Sequence, residues 1–316
     1  MTAGAGEATG RRLRLGTRSS PLAVAQSRLV ARALEAAHPG VVVELVPMST
    51  RGDRLAGDLN KVGGKGLFTA ELEAGLLDGT LDLVVHSLKD LPVRAADELA
   101  IAAYPQRADP RDVLVSEVAR RVAELPRGAR VLTGSLRRQA QLLALRPDLE
   151  MVPVRGNVET RLRKWRETGA AATVLAAAGL ARLGLGHEPA HALEADELLP
   201  APGQGTLAVQ TRRGGEAEAL CAALDHAPTR TAAVAERAIV AAFGGDCTLP
   251  LAAWARAHVD PDGLALSALL AAPDGSEVVR GEAAGADAES VAAACVERMR
   301  AQGAASLLAR LHSTAR

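Results

Sequence analysis

The chain has 316 residues, 48% of them hydrophobic, which is enough apolar material for two or three domains of ordinary size. Lys+Arg and Asp+Glu both number 37, so the formal net charge is zero, and aromatic residues make up only 2%. This excludes a general nucleic-acid binder, which relies on a basic excess or on stacking platforms, and no apolar run is long enough for a membrane-spanning helix. An anionic partner must therefore be held by local arginine clusters.

In chain order, residues 1–10 are small and polar, lack the pattern of a secretory signal, and are expected to form a disordered tail. Leu13–Leu15 reads as a strand. Ser20-Pro21 reads as an N-cap followed by proline at the first helical position, with apolar residues at helical spacing after it. Val41–Val46 is a β-branched strand, Leu67–Leu77 a helix and Leu83–His86 a strand. A second series follows: strand Arg130–Leu132, a helix from about Leu136, strand Glu150–Val154, helix Val158–Thr168 and strand Thr173–Leu175. Alternation of this kind predicts parallel α/β sheets. Thr206–Gln210 reads as a returning strand. Beyond it come helix Thr231–Ala242, β-like runs and one long alanine-rich helix, Ala288–Leu311.

The two series echo each other. Glu44–Asp53 (E-L-V-P-M-S-T-R-G-D) matches Glu150–Asn157 (E-M-V-P-V-R-G-N), and Leu15–Pro21 (L-G-T-R-S-S-P) matches Leu132–Arg138 (L-T-G-S-L-R-R). The expected fold is α/β, with two similar domains facing each other across a cleft and a smaller α+β C-terminal domain. The expected boundaries are 11–105 with 206–222 for the first domain, 106–205 for the second and 227–316 for the third.

Arginines recur at strand-to-helix turns and in the helices that follow: Arg18, Arg51, Arg137, Arg138, Arg155, Arg161 and Arg182. Ligands of open α/β sheets bind outside the carboxyl ends of strands, where helix N-termini and guanidinium forks favour anions. The pattern points to a ligand with many carboxylates or phosphates, with Arg138 and Arg161 expected to face a cleft rather than a core. No nucleotide phosphate loop accompanies it. Lys89-Asp90 closes V-V-H-S-L-K-D; it reads either as an exposed turn ion pair or as a functional acid or base. Arg51–Gly66, with its glycines and with Lys61 and Lys65, reads as a solvated loop or as a lid over an anion. Cys221 and Cys295 sit in helical runs as small core residues. Cys247, in F-G-G-D-C-T-L-P, is either a plain turn cysteine or an accessible thiol fit for covalent attachment. The cysteines offer no disulfide framework, which fits a reducing cytoplasm, and the histidines have no metal-ligand spacing, so no metal is expected.

Many motifs, in order, resemble the hydroxymethylbilane synthase (porphobilinogen deaminase) family from about Arg14 to about Gly281. They include T-R-S-S-P-L-A, V-G-G-K-G-L-F-T-A-E-L-E, H-S-L-K-D-L-P, D-P-R-D, S-L-R-R-Q-A-Q-L, V-R-G-N-V-E-T-R-L, A-A-G-L-A-R-L-G, L-P-A-P-G-Q-G, A-E-R-A and A-P-D-G-S-E-V-V-R-G. The resemblance implies two domains of periplasmic-binding-protein-like type. It also implies a transferase of heme biosynthesis that joins four porphobilinogen molecules into a linear tetrapyrrole, hydroxymethylbilane, with loss of ammonia. The growing chain would be primed by a dipyrromethane cofactor, bound by thioether to Cys247. By the same resemblance Asp90 is the catalytic carboxylate, with Lys89 as the second catalytic residue. Lys89, Asp90, Ser135, Arg137 and Arg138 hold the cofactor, Arg18, Ser20, Arg155 and Arg161 bind substrate carboxylates, and Arg182 assists elongation. Porphobilinogen is the only partner implied, with no nucleic acid and no membrane, and a monomer suffices. Two positions depart from the family pattern: Gly134 stands where a second serine is common, and Asp246 where glycine often precedes the cysteine. A carboxylate at 246 would tend to raise the thiol pKa. Two other readings remain: a solute-binding protein using the same cleft without turnover, and an inactive scaffold.

Overall fold

A computed structural model describes residues 10–50, 69–244, 249–257 and 263–314. The tail at 1–9, the glycine-rich segment 51–66 with Lys61 and Lys65, and Cys247 with Asp246 lie outside the described residues.

In chain order the elements are β1 (Arg11–Arg18), α1 (Pro21–Ala37), β2 (Val41–Met48), α2 (Ala70–Leu77), β3 (Leu83–Ser87), β4 (Leu99–Ala103) and β5 (Asp112–Val115). There follow β6 (Arg130–Leu132), α3 (Leu136–Leu145), β7 (Glu150–Val152), α4 (Val158–Thr168), β8 (Ala172–Ala176), α5 (Ala177–Arg182), β9 (Ala190–Ala192) and β10 (Leu207–Arg212). The last part holds α6 (Glu216–Cys221), α7 (Ala227–Ala242), β11 (Leu251–Ala257), β12 (Leu264–Ala271), β13 (Val278–Gly285), α8 (Ala288–Ala301) and α9 (Ala304–Thr314). Chain compactness divides this into two units. The first takes 1–86, 94–105 and 207–226; the second takes 87–93, 106–206 and 227–316.

The first unit is built on a five-stranded sheet of order β2-β1-β3-β10-β4. Its core gathers Leu13, Leu15, Leu34, Leu83, Val85, Val209 and Cys221. The second unit contains a sheet of order β7-β6-β8-β5-β9. The two orders correspond strand for strand, with the fourth place taken by the late strand β10 in the first sheet and by β5, which precedes β6, in the second, so the echo in the sequence is a structural duplication. Both sheets are mixed rather than parallel: β1 runs parallel to β2 and β3, but β10 is antiparallel to β4, and β5 is antiparallel to β8 and β9.

The second unit also contains the antiparallel sheet β11-β12-β13, covered by α7 and α8. Ala252, Leu269 and Ala271 of this sheet pack with Ala140 of α3 and with Leu199, which joins the C-terminal layers to the second five-stranded sheet. The predicted single helix Ala288–Leu311 is two helices. Gly303, at φ +96°, turns the chain between them, a conformation that glycine alone adopts without steric cost.

Helix starts follow local chemistry in both units. Ser20 Oγ accepts from Ala23 N–H and Ser135 Oγ from Arg138 N–H, each at 3.4 Å, so the duplicated turns carry the same cap. Asn157 caps α4 in the same way, at 2.8 Å from Thr160 N.

Candidate active site

The second unit brings most of the singled-out residues together. After β3 the chain makes one 3₁₀ turn, Leu88–Asp90. Leu88 and Leu91 are buried on either side, Lys89 is half-buried and Asp90 is exposed. Leu88 N–H donates to Thr206 O at 3.0 Å, and Leu91 N–H donates back to Leu88 O at 3.1 Å. The turn rests on the P-G-Q-G segment: a Cβ on Gly203 would come within 2.9 Å of the Leu88 side chain, and φ there is +75°. Glycine is required on both counts.

Behind this turn lies Asp112, fully buried at the start of β5. Its Oδ2 accepts from Arg137 Nη1 at 2.7 Å, and its Oδ1 accepts from Arg138 Nε and Nη2 at 3.0 and 2.7 Å. Burial alone would raise the carboxyl pKa; the two guanidinium groups overcome this and hold it well below the usual carboxylate range. Gln204 connects this cluster to Lys89. Its Nε2 donates to Asp112 Oδ1 at 3.0 Å and to Pro110 O at 2.8 Å, and its Oε1 accepts from Lys89 Nζ at 3.3 Å.

Arg138 is only 4% exposed, which corrects the expectation that it faces a cleft. It lies at the third position of α3, on the face that packs inward with Arg137, Ala140 and Gln141. All three of its side-chain nitrogens bond within the protein, Nη1 to Val174 O at 2.7 Å. Arg137, as deeply buried as Arg138, donates from Nη1 to Asp112 and to Leu199 O, each at 2.7 Å. Gly134 sits at the mouth of this turn. A Cβ there would lie 2.4 Å from Val154 O, so this backbone has no room for the second serine without a shift.

Arg161 and Arg182 lie in the same region. Arg155 is exposed in the R-G-N turn after β7. Arg161, half-buried, folds back so that its Nε donates to Gly156 O at 2.8 Å. Arg182, at the end of α5, donates from Nη2 to Gly205 O at 2.7 Å. Burial lowers the pKa of Lys89, Arg161 and Arg138, the last to about 10. Arg137 and Arg161 push Arg138 further down, while Asp90 pulls Lys89 and Arg161 back up. Burial also takes Arg182 to about 10. Five cations, Lys89, Arg137, Arg138, Arg161 and Arg182, thus share this region with the carboxylates of Asp90 and Asp112. Five cations against two carboxylates leave the region with a net positive charge, which a ligand carrying several carboxylates balances. By that test the residues fit a polycarboxylate cofactor such as dipyrromethane.

Arg18 and Ser20 belong to the first unit. Arg18 is half-buried at the end of β1, and its charge acts on His86; Ser20 is the cap of α1. Asp112 and Gln204 were not singled out from the sequence, although D-P-R-D and P-G-Q-G contain them.

Residues 13–219 match the family model described as porphobilinogen deaminase, dipyromethane cofactor binding domain, and residues 230–301 match the porphobilinogen deaminase C-terminal domain. The chain belongs to the porphobilinogen deaminase family. The porphobilinogen deaminase of Acidothermus cellulolyticus is 51% identical over 274 residues, covering 85% of this chain and 82% of that one. That of Roseiflexus sp. is 46% identical over 299 residues, covering 93% and 98%. Among solved structures, a nutrient-binding protein from Burkholderia cenocepacia bound to methionine aligns with 67% of this chain and 91% of its own, at 14% identity and a TM-score of 0.42. Both halves of the porphobilinogen deaminase pattern, cofactor domain and C-terminal domain, therefore lie in one chain.

Proposed function

We propose that this chain polymerises four porphobilinogen molecules into hydroxymethylbilane, releasing ammonia at each addition, on a dipyrromethane bound through the sulfur of Cys247. One observation carries the reading: an exposed carboxylate, Asp90, stands beside five cations that outnumber the two carboxylates among them, and Gln204 ties Lys89 to the buried Asp112. Each pyrrole of the substrate carries an acetate and a propionate, which is the anionic load such a cluster suits.

The dipyrromethane supplies, when bound, the pyrrole carbon from which the chain is lengthened. Lys89, Ser135, Arg137 and Arg138 would hold its carboxylates. Ser135 would do so through its hydroxyl hydrogen, and Arg137 and Arg138, both buried against Asp112, mainly through their charge. Arg155 and Arg161 would bind carboxylates of the incoming substrate, a role the family pattern also gives to Arg18 and Ser20, and Arg182 those of the lengthening chain.

Asp90 acts on the reacting ring. Loss of ammonia from porphobilinogen leaves positive charge on a pyrrole, and an ionised carboxylate stabilises that charge more than it stabilises the neutral ring. The same carboxylate accepts a hydrogen bond from a pyrrole N–H and keeps the ring oriented. We propose further that the protein acts as a monomer in the cytoplasm. Attachment through Cys247 needs a free thiol, which a reducing compartment maintains. Incubating the purified protein with porphobilinogen tests the activity: ammonia and hydroxymethylbilane should form in a ratio of four to one, and release of neither would refute it.

A further inference from the structure

Helix α7 carries A-E-R-A, and the two charged side chains of this motif leave the helix towards different segments. Glu236 is fully buried. Its Oε1 accepts from Arg107 Nη1 at 2.6 Å and Ala255 N–H at 2.8 Å, and its Oε2 from Arg107 Nη2 at 3.1 Å and Gly203 N–H at 2.6 Å. These bonds fix α7 against the P-G-Q-G segment on which the Leu88–Asp90 turn rests. Arg237 reaches the other side of that turn. Its Nη1 donates to Leu91 O at 3.4 Å, and its Nη2 donates to Pro92 O at 2.9 Å and to Val93 O at 2.8 Å.

Three successive carbonyls on one guanidinium define a backbone path. The segment needs such a constraint. Residues 91–93 lie in no helix or strand, Pro92 has no N–H to contribute, and the Asp90 side chain makes no hydrogen bond to the described residues. The position of the carboxylate is therefore set by its own backbone. Leu88 N–H on Thr206 O fixes that backbone before Asp90, and Arg237 fixes it after. A planar fork holds such a path better than a flexible ammonium does.

We propose that Arg237 is a positioning residue for Asp90, clamping the backbone immediately after it so that the carboxylate is held still where charge develops. This rests on the reading of Asp90 given above. Arg237→Met and Arg237→Lys, each purified as cofactor-loaded protein, provide the test. Amide hydrogen exchange is read at Leu88 and Leu91 and across α3, alongside kcat and KM for porphobilinogen. In Arg237→Met, exchange at Leu91 should become faster while α3 is unchanged. kcat should fall by a factor on the order of 10–100 with KM within about twofold, since a carboxylate displaced by about 1 Å loses that much. Arg237→Lys should recover part of both. Unchanged exchange at Leu91 in the Met variant overturns the proposal, as does faster exchange spread equally over α3. If the unmutated protein turns over no porphobilinogen, the functional reading fails, and the exchange data still decide whether Arg237 holds the segment.

Discussion

Arg138 and Asp112 meet in a buried fork, with Nε and Nη2 of the guanidinium both donating to the single carboxylate oxygen Oδ1. Both side chains are at most 5% exposed, and Arg137 completes the pairing from the other carboxylate oxygen. Breaking such a pair from one side leaves a charge buried without compensation, at a cost of about 3–5 kcal/mol. Arg138→Leu is accordingly expected to lower the thermal midpoint markedly as well as abolish assembly. Thermal unfolding checks it; a midpoint within a degree or two of the parent would show that Asp112 finds other compensation. The same pair adds an acid limb to stability. The Asp112 pKa is depressed in the fold, so its contribution is full above about pH 4, the unfolded value, and is lost as pH falls further.

His86 should produce a separate limb at higher pH. It is buried, its Nε2 lies 2.9 Å from Gln210 Oε1, and Gln210 Nε2 in turn donates to Glu73 at 3.0 Å. Burial pushes the imidazole down to about 4; Gln210 opposes this and the charge of Arg18 adds to it. A folded pKa below the unfolded value of about 6.5 means that the contribution is present above pH 6.5 and lost as pH falls towards 4. The expected loss across that window is about 3 kcal/mol. Denaturant midpoints at pH 7 and pH 4.5 measure it. His86→Gln should flatten the difference, and a parent protein with equal midpoints would contradict the assignment.

The sequence revealed local features and missed long-range ones. The cap at Ser20 is readable because the donor lies three residues away, and Val41–Val46 is readable because β-branched residues crowd it. Strands β4, β5 and β9 were not read. β5 is four residues buried on both faces, so it has no alternation, and β9 is three residues long. The alanine run beyond residue 301 keeps helical composition through Gly303, which hid the break. In the site, motif order pointed to Lys89, Asp90 and the arginines. Asp112 and Gln204 are 92 residues apart, and neither reveals from its neighbours that it will share a buried hydrogen bond. The burial of Arg138 was missed because a basic residue in the first turn of a helix also fits an exposed anion site.

Arg161→Leu and Arg182→Leu should separate binding from folding. Both side chains are half-buried and bond to the protein through one backbone carbonyl each, Gly156 O and Gly205 O. Their loss should move the thermal midpoint by much less than that of Arg138. It should weaken elongation by roughly 2–5 kcal/mol for each ligand carboxylate left unpaired. Products arrested at fewer than four additions, seen by mass spectrometry of the enzyme, would be the signature. Normal elongation in both variants would remove these residues from the site.

Asp90 should matter for chemistry more than for binding. Asp90→Asn preserves shape and removes charge, and turnover should fall by a factor on the order of 10²–10⁴. Asp90→Glu keeps the charge and should retain part of the rate. Single-turnover kinetics on cofactor-loaded enzyme separate the steps. An Asn variant with an unchanged chemical step and weaker substrate affinity would reduce Asp90 to a binding residue.

The intact mass of the purified protein tests most directly whether this chain builds a tetrapyrrole on a dipyrromethane attached to Cys247. The parent protein should carry the mass of two linked pyrrole units, and further single-pyrrole increments should appear on brief exposure to porphobilinogen. Cys247→Ala should show the bare polypeptide mass, whereas Cys221→Ala and Cys295→Ala, altered in the core, should keep the adduct. A parent protein that turns over substrate at its bare polypeptide mass, or an adduct that survives Cys247→Ala, would contradict the account.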